Sequence, residues 1–534
     1  MFRHALMKMV DSRLSLATSD GPVVAGPGGI SIDVDQVMAG RVGFVGLPVV
    51  DLGRDIDWRA DPHRNRSWML NLHTLRWMGG LVVAYEKGGD RALLERAAEI
   101  AEDWVRKNSR RWTGVSAWAW AEHSVALRAP ALVRLSAHVR ANWLSRSLIE
   151  HARVLSDPAL YRHGHNHGLD QDIALLSIGC RFRRRQWTDL AISRMAASAK
   201  LAIDDQGALH EQAPRYGVYV HRRLGIGLDA IRECGAVTPE GLKERRRSLE
   251  TYVSHATQPD GRLVPIGDTP ADTRPTGFRN EEATVKVFDS GYVFGRTRWN
   301  DRSSAYYSIR FGSARKLHGH EDHLGVTYHA HGRDILVEAG FHSYEKDAYR
   351  EWTTSPEAHN VPVVVGGEFR PGTATRLEHS DVGPTRQSFQ LADDAYGVVR
   401  TRSVLVNHGP DLMVVLDEVP EGAQLRSLWH LAPSLRVISN RDGRVVVANG
   451  NWRATMVFLP AGEPEVRQGT VSPGYLRKVE TTSVLSPPGT RVLTLIVPGT
   501  DDPEVSFRGG GITVGGVSLL TVPLPGIPLR RTLK

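Results

Sequence analysis

The period of the hydrophobic pattern changes once along this chain, near Val285, and that change limits the fold more than any other feature. Before it, Leu93, Leu94, Ala97, Ile100, Ala101 and Trp104 make one apolar stripe, the spacing of an α-helix with a single buried face. After it the pattern alternates. Tyr292-Val293-Phe294, then Ala305, Tyr307, Ile309 and Phe311, follow a period of two. So do Val404 to Val406, Leu412 to Leu416, Val445 to Val447, Thr455 to Leu459 and Val492 to Val497. A helix scatters a period-two pattern over all its faces, and a strand does the same to a helical one. The chain is therefore predicted to be a multidomain α+β protein, all-α first and all-β second.

Trp58 and Asp61-Pro62 lead into a first helix over about 64–85. Further helices are expected near 90–104, 116–138, 140–154, 167–182, 186–202, 208–234 and 238–257, joined by short loops as an array of helical hairpins. After 285, Gly, Pro, Asn and Asp punctuate the strands at short spacing, as in a stacked antiparallel sandwich. Residues 258–284, rich in Pro, Gly, Asp and Thr, read as a linker. Residues 1–50, rich in Gly, Val and Pro, read as an irregular arm. The expected domains are 1–50, 51–270 and 285–534, in keeping with a length of 534 residues. Trp58, Trp68, Trp77, Trp104, Trp112, Trp118 and Trp120 crowd the helical half. Most are expected in the core, leaving some as faces on which sugar rings stack.

A net charge of +8 favours anionic partners: nucleic acid, acidic polysaccharide or anionic lipid. The basic runs Arg181-Phe182-Arg183-Arg184-Arg185 and Lys243-Glu244-Arg245-Arg246-Arg247 are not interleaved with aromatics as a single-strand binding platform would be, so nucleic acid is not expected. No run of about 18 apolar residues could span a bilayer. Met1 to Asp20 shows no apolar signal-peptide core, which puts the chain in the cytoplasm by default, or in the periplasm or outside the cell if a leader has been removed. There is no P-loop, dinucleotide fingerprint or fixed-period repeat. Cys180 and Cys234, the only cysteines, are expected to be core thiols, with no disulfide framework and no cysteine metal motif.

Chemistry-bearing residues gather between Leu317 and Asn360. The stretch opens with His318-Gly319-His320-Glu321-Asp322-His323, passes through Asp334 to Gly340 and closes with Ala358-His359-Asn360. Imidazoles and carboxylates are what zinc binds and what proton transfer needs. If Leu317 to Leu324 is extended, His318 and His320 share a face; a tight turn sends one to a metal and the other to a cleft. A second histidine cluster, His163-Gly164-His165-Asn166-His167, precedes a predicted helix, where Asn166 is also a preferred cap. Tyr216 and Tyr219, three apart, fall on one helical face.

Four matches in order resemble the heparinase II/III family of polysaccharide lyases, whose relatives include alginate lyases of the same architecture. They are Asn166-His167, Tyr216 within Glu211-Gln212-Ala213-Pro214-Arg215-Tyr216, the HGHxD of His318 to Asp322, and Ala358-His359-Asn360 after the strand Gly332 to Gly340. The resemblance covers most of the chain. It implies an N-terminal incomplete (α/α) toroid and a C-terminal antiparallel β-sandwich facing each other across a cleft. It implies β-elimination on an anionic polysaccharide containing uronic acid, a glycosaminoglycan or alginate.

The residues then take roles. Asn166 and His167 hold the C6 carboxylate and stabilise the charge that develops on it. Tyr216 is the acid at O4, and the base as well if cationic neighbours, Arg215 or a histidine, lower a phenol pKa that starts near 10. His318 is the base or a second charge stabiliser. His163, His165, Glu211, Arg215 and Tyr219 are expected to contact substrate. The family's structural, zinc-like site maps onto His320, Glu338 and His359, the first two eighteen residues apart, with Asp322 and His323 as alternative ligands. Two other readings share the fold. A glycoside hydrolase needs a carboxylate pair, of which only Glu211 is in view. A non-catalytic glycan-binding or assembly protein would have no use for these four residues. Homo-oligomerisation stays open.

Overall fold

The computed structural model of the chain describes residues 20–24, 29–44, 46–110, 112–508 and 511–521. It divides into two compact units. One runs to Ile203 and takes up Tyr219–Arg247; the other comprises Asp204–Val218 and resumes at Ser248. Of the expected irregular arm, residues 1–19 lie outside the described residues. The rest is partly regular: Val34–Met38 is a helix capped by Asp33, whose side chain accepts from the Gln36 N–H, and Arg41–Val42 pairs antiparallel with Val50–Asp51.

The first unit is helical. Its helices are Arg66–Thr74, Arg76–Gly88, Arg91–Lys107, Glu122–Ser136, Asn142–Ser156, Asn166–Arg181, Arg185–Ala202 and most of Pro214–Glu233. The single helix expected over 64–85 is two. Leu75, fully buried with a φ of 50°, takes the left-handed conformation that ends one helix and starts the next. The helix expected from 208 begins only at Pro214. Proline tolerates a first helical turn, but it disfavours helical backbone in the residue before it. Trp68 and Trp104 are fully buried and Trp58 and Trp77 nearly so, whereas Trp112 is 57% exposed. Arg128 is buried among them. It lies 3.7 Å from the Trp104 ring centroid and donates to the His73 and Ala119 carbonyls and to His151 Nε2.

The expectation of two core thiols is corrected: Cys180 and Cys234 form a disulfide, their Cα atoms 5.6 Å apart. They sit 54 residues apart, near the C-terminal ends of two different helices, and only the folding of those helices brings them together.

In the second unit every pair of described strands is antiparallel. A five-stranded sheet follows chain order: Val285–Phe288, Tyr292–Arg296, Tyr306–Arg310, Val326–Ala330, Arg333–Leu336. An eight-stranded sheet is ordered Arg436–Arg441, Arg444–Asn449, Trp452–Leu459, Arg491–Pro498, Leu412–Glu418, Arg400–Asn407, Arg386–Asp393, Arg376–Val382. The period-two pattern explains how they stack. Val404, Val406, Met413, Val415, Met456 and Ile496 point into one core with Val293, Tyr307, Val326 and Tyr328 of the five-stranded sheet. The intervening Leu405, Leu412, Val414, Val457 and Leu495 point the other way, into a second cluster with Val505, Ile512 and Val514 of a three-stranded sheet. Beyond Val285 the one α-helix among the described residues is Ala348–Thr354.

Candidate active site

In the second unit, backbone contacts lock together two stretches that are distant in sequence. Glu211 and Gln212 precede the helix that carries Tyr216. The Glu211 carbonyl accepts from the His318 N–H (3.1 Å). The Gln212 amide donates to the carbonyls of Ser313 (3.2 Å) and Ala314 (3.1 Å), and its Oε1 accepts from the Lys316 N–H (2.6 Å). At Gly319 a Cβ would lie 2.2 Å from Gln212 Oε1, so only glycine lets the loop approach this closely. The consequence is a stack: the Tyr216 and His318 rings are 3.6 Å apart at their centroids and 9° from parallel. Tyr344 joins them, its hydroxyl hydrogen-bonded to that of Tyr216 and its ring edge-on to His318 at 6.1 Å.

The two histidines of the HGH motif meet one carboxylate. Asp268 Oδ2 lies 3.1 Å from His318 Nδ1, and Oδ1 lies 3.1 Å from His320 Nε2. Arg350 grips the same carboxylate with both terminal nitrogens, at 2.5 and 3.0 Å, a bidentate geometry. Burial alone would raise the Asp268 pKa; the hydrogen bonds from His318 and His320 and the Arg350 charge outweigh it and hold the carboxyl far below its usual range. Glu211, fully buried, has Oε2 at 3.8 Å from His318 Nε2.

The expected lowering of the Tyr216 pKa is not found. Burial, then the Tyr344 hydroxyl and the Asp268 charge, push it well up, and Arg215 opposes them only weakly. The Arg215 side chain is exposed, and its backbone N–H donates to Thr269 Oγ1 (3.2 Å).

The three expected metal ligands come together and are buried. Glu338 is hydrogen-bonded to His359 Nδ1, and the His320 and His359 rings are 5.3 Å apart. His320 Nδ1 and His359 Nε2 have no hydrogen-bond partner. Among the described residues, however, no group of three or more His, Cys, Asp or Glu side chains is arranged to hold a metal ion. The alternative ligand Asp322 accepts from the buried Arg310 (3.2 Å). Asn360 is a clasp: its side chain donates to the Val337 carbonyl and accepts from the His430 N–H.

The first unit holds the other expected residues. The helix Asn166–Arg181 is capped not by Asn166 but by His165, whose Nδ1 accepts from the His167 N–H (3.0 Å). Asn166 is buried and His163 exposed. The His167 ring stacks on His123 at 3.6 Å, with its Nδ1 3.6 Å from Glu122 Oε1. Burial lowers the His167 pKa, which Glu122 partly restores. Asp170, fully buried, accepts from the Tyr219 hydroxyl (2.6 Å), lies 3.0 Å from His123 Nε2 and pairs with Arg223 (2.5 Å). Tyr219 is thus a donor whose proton is already engaged, and burial together with the Asp170 charge raises its pKa.

Sequence reasoning missed Asp268, Arg350, Tyr344, His123, Asp170 and Arg223. Asp170 was within reach, since it follows Asn166 by four residues and so shares its helical face. Asp268 was not: it lies in the stretch read as a linker, where aspartate is an ordinary turn residue.

No curated protein matches the chain. Its overall architecture is shared with the crystal structure of heparinase III, with 17% identity, 95% of this chain and 92% of that chain covered, and a TM-score of 0.78. It is shared also with heparan sulfate lyase HepC from Pedobacter heparinus (18% identity, 92% and 88% covered, TM-score 0.66). A more distant likeness is to the Streptomyces coelicolor chondroitin AC lyase in complex with chondroitin sulphate (11% identity, 82% and 75% covered, TM-score 0.51). The sequence matches the heparinase II/III N-terminus model over residues 30–291 and the heparinase II/III-like C-terminal model over 285–508. With the two models joined end to end across both units, the chain belongs to the heparinase II/III family.

Proposed function

We propose that this chain is a polysaccharide lyase that cleaves a uronate-containing glycosaminoglycan by β-elimination. The observation that carries this reading is the Tyr216–His318 stack, a phenol and an imidazole held face to face by the fold. Elimination needs a base for the C5 proton and an acid for the departing O4. His318 takes the C5 proton. The electrons of that C–H bond form the C4–C5 double bond, the C4–O4 bond breaks, and O4 takes the Tyr216 proton. A raised pKa keeps the Tyr216 phenol protonated at neutral pH, which suits the acid better than the base. Asn166 and His167 are assigned to the uronate carboxylate, whose neutralisation makes C5–H acidic. Tyr219 is set aside because its proton already serves Asp170.

The net charge of +8 suits an anionic chain. Proteins of the same fold that act on heparan sulfate and chondroitin support a glycosaminoglycan as the substrate class. A hydrolase would need a carboxylate pair free to act on a glycosidic bond, whereas both Asp268 oxygens are engaged by His318, His320 and Arg350. We propose also that His320, Glu338 and His359 hold a zinc ion. The donor set and the unpartnered buried His320 Nδ1 and His359 Nε2 support it. Such an ion would cross-link the second unit and take no part in the elimination. Metal analysis of the purified protein, with His320→Ala lowering both zinc content and melting temperature, tests this.

The reaction is tested by offering heparan sulfate, hyaluronan, alginate and a glucuronan and following the ultraviolet absorbance of the unsaturated uronate. A glycosaminoglycan should yield it. New reducing ends without the double bond would make the chain a hydrolase.

A further inference from the structure

One positive charge in the first unit has no answering group. Asp170 is fully buried, and both of its carboxylate oxygens are engaged. Oδ1 pairs with Arg223 Nε at 2.5 Å; Oδ2 accepts from the Tyr219 hydroxyl (2.6 Å) and lies 3.0 Å from His123 Nε2. Arg76 belongs to the same cluster, close enough for Tyr219, Arg223 and Asp170 all to act on its charge. Yet among the described residues the Arg76 guanidinium has no hydrogen-bond or ion-pair partner. It is part-buried. Burial is the largest influence on its pKa and lowers it; Tyr219 and Asp170 pull the other way, and Arg223 adds its repulsion. The next carboxylate along, Glu122, is taken by Arg162 (3.0 Å). A charge withdrawn from water without a partner destabilises the fold that holds it.

We infer that Arg76 binds a second oxyanion of the polysaccharide, a sulfate or a carboxylate on a sugar beside the uronate assigned to Asn166 and His167. A guanidinium presents a planar fork of donors that matches the paired oxygens of either group, and here none of those donors is used by the protein. Asp170 ties Arg76 to the Asn166–His167 pair. It lies one helical turn after Asn166, and it faces His123, whose ring stacks on His167 at 3.6 Å. Main-chain contacts, not the side chain, fix Arg76 in place. Its carbonyl accepts from the Ile30 N–H (3.1 Å), and it opens the helix Arg76–Gly88. The guanidinium therefore serves no packing role that would account for its burial, and an anionic ligand supplies the partner the protein does not.

This rests on the lyase reading, and its test separates the two. On heparan sulfate, Arg76→Met, which keeps an apolar stem and removes the charge, should raise KM by about 10-fold or more with kcat changed by less than about threefold. It should melt no lower than the parent, because no hydrogen bond within the protein is lost. Repeating the measurement on heparosan, a uronate polymer without sulfate, names the oxyanion. A KM raised on heparan sulfate alone assigns a sulfate; a KM raised on both polymers assigns a carboxylate. An unchanged KM on both, with or without a lower melting temperature, would overturn the inference. Should Arg76→Met not fold, Arg76→Lys, which keeps the charge but not the fork, decides by the same KM values. Calorimetric binding of heparan sulfate in a Tyr216→Phe background reads the site without turnover. Equal affinity with and without Arg76→Met would overturn the site even in an active lyase. Weaker binding by Arg76→Met in a protein whose parent forms no unsaturated product on any uronate polymer would sink the lyase reading while leaving the oxyanion site intact.

Discussion

Gly267→Ala should damage both stability and catalysis, although the residue carries no chemistry. Gly267 has a φ of 56°, and a Cβ there would lie 2.5 Å from the His318 carbonyl oxygen and 2.6 Å from that of Gln212. Left-handed backbone costs an alanine about 1–2 kcal/mol. The overlap adds to this, because both obstacles are main-chain atoms that cannot rotate away. To reach an ordinary contact of 3.4 Å the His318 carbonyl would have to retreat by about 0.9 Å. Overpacking of this kind costs about 1–3 kcal/mol. Together the destabilisation is about 2–5 kcal/mol, a fall of roughly 2–5 °C in melting temperature for a chain of this length. The same retreat moves His318 relative to Tyr216, and a displacement near 1 Å costs about 10²-fold in rate. Differential scanning calorimetry reads the first effect and steady-state formation of unsaturated product the second. A variant that melts with the parent and turns over at the parent rate would refute the close approach and the placement of His318 that depends on it.

Tyr216→Phe should lower kcat by about 10²–10⁴-fold with little change in KM, since it removes a transferred proton rather than a binding contact. Tyr219→Phe should instead act mainly on stability, by about 1–3 kcal/mol in chemical denaturation, because it withdraws a donor from buried Asp170. If Tyr219→Phe rather than Tyr216→Phe abolishes turnover, the tyrosine assignment is wrong. Replacing Cys180 and Cys234 together by alanine should cost about 4 kcal/mol, the loop-closure value for a separation of 54 residues; an unchanged denaturation midpoint would show that the cross-link does not form. The Glu122 pKa is depressed to about 2, chiefly by the His167 ring, whose Nδ1 lies 3.6 Å away, then against burial by the hydrogen bond from Arg162. A depressed carboxylate stabilises the fold above its unfolded value of about 4.3 and loses that contribution as pH falls through about 2. The gap in stability between the parent and Glu122→Gln should therefore be full near neutral pH and close on acidification; a gap independent of pH would contradict the assignment.

The order of architectures was readable without a structure. A period of 3.6 or of two is a local property, set by how successive side chains leave a helix or a strand. Alternation at Val404, Leu405 and Val406 already implied one residue facing each way, and the two clusters on either side of the eight-stranded sheet are that alternation in three dimensions. Asn166, His167, Tyr216 and the HGHxD residues were legible as residue types in a recognisable order. What surrounds them was not. Asp268 meets His318 across 50 residues and Tyr344 meets Tyr216 across 128, so no spacing rule announces either contact. Cys180 and Cys234 looked like two unrelated core thiols for the same reason. The direction of the Tyr216 shift depended on burial and on which charges lie nearest, and the exposed Arg215 beside it in sequence proved weaker than Tyr344 and Asp268 beside it in space. Local geometry is written within a turn or two of chain. A site is written by which loops the packed core holds together, and that is a property of the folded protein alone.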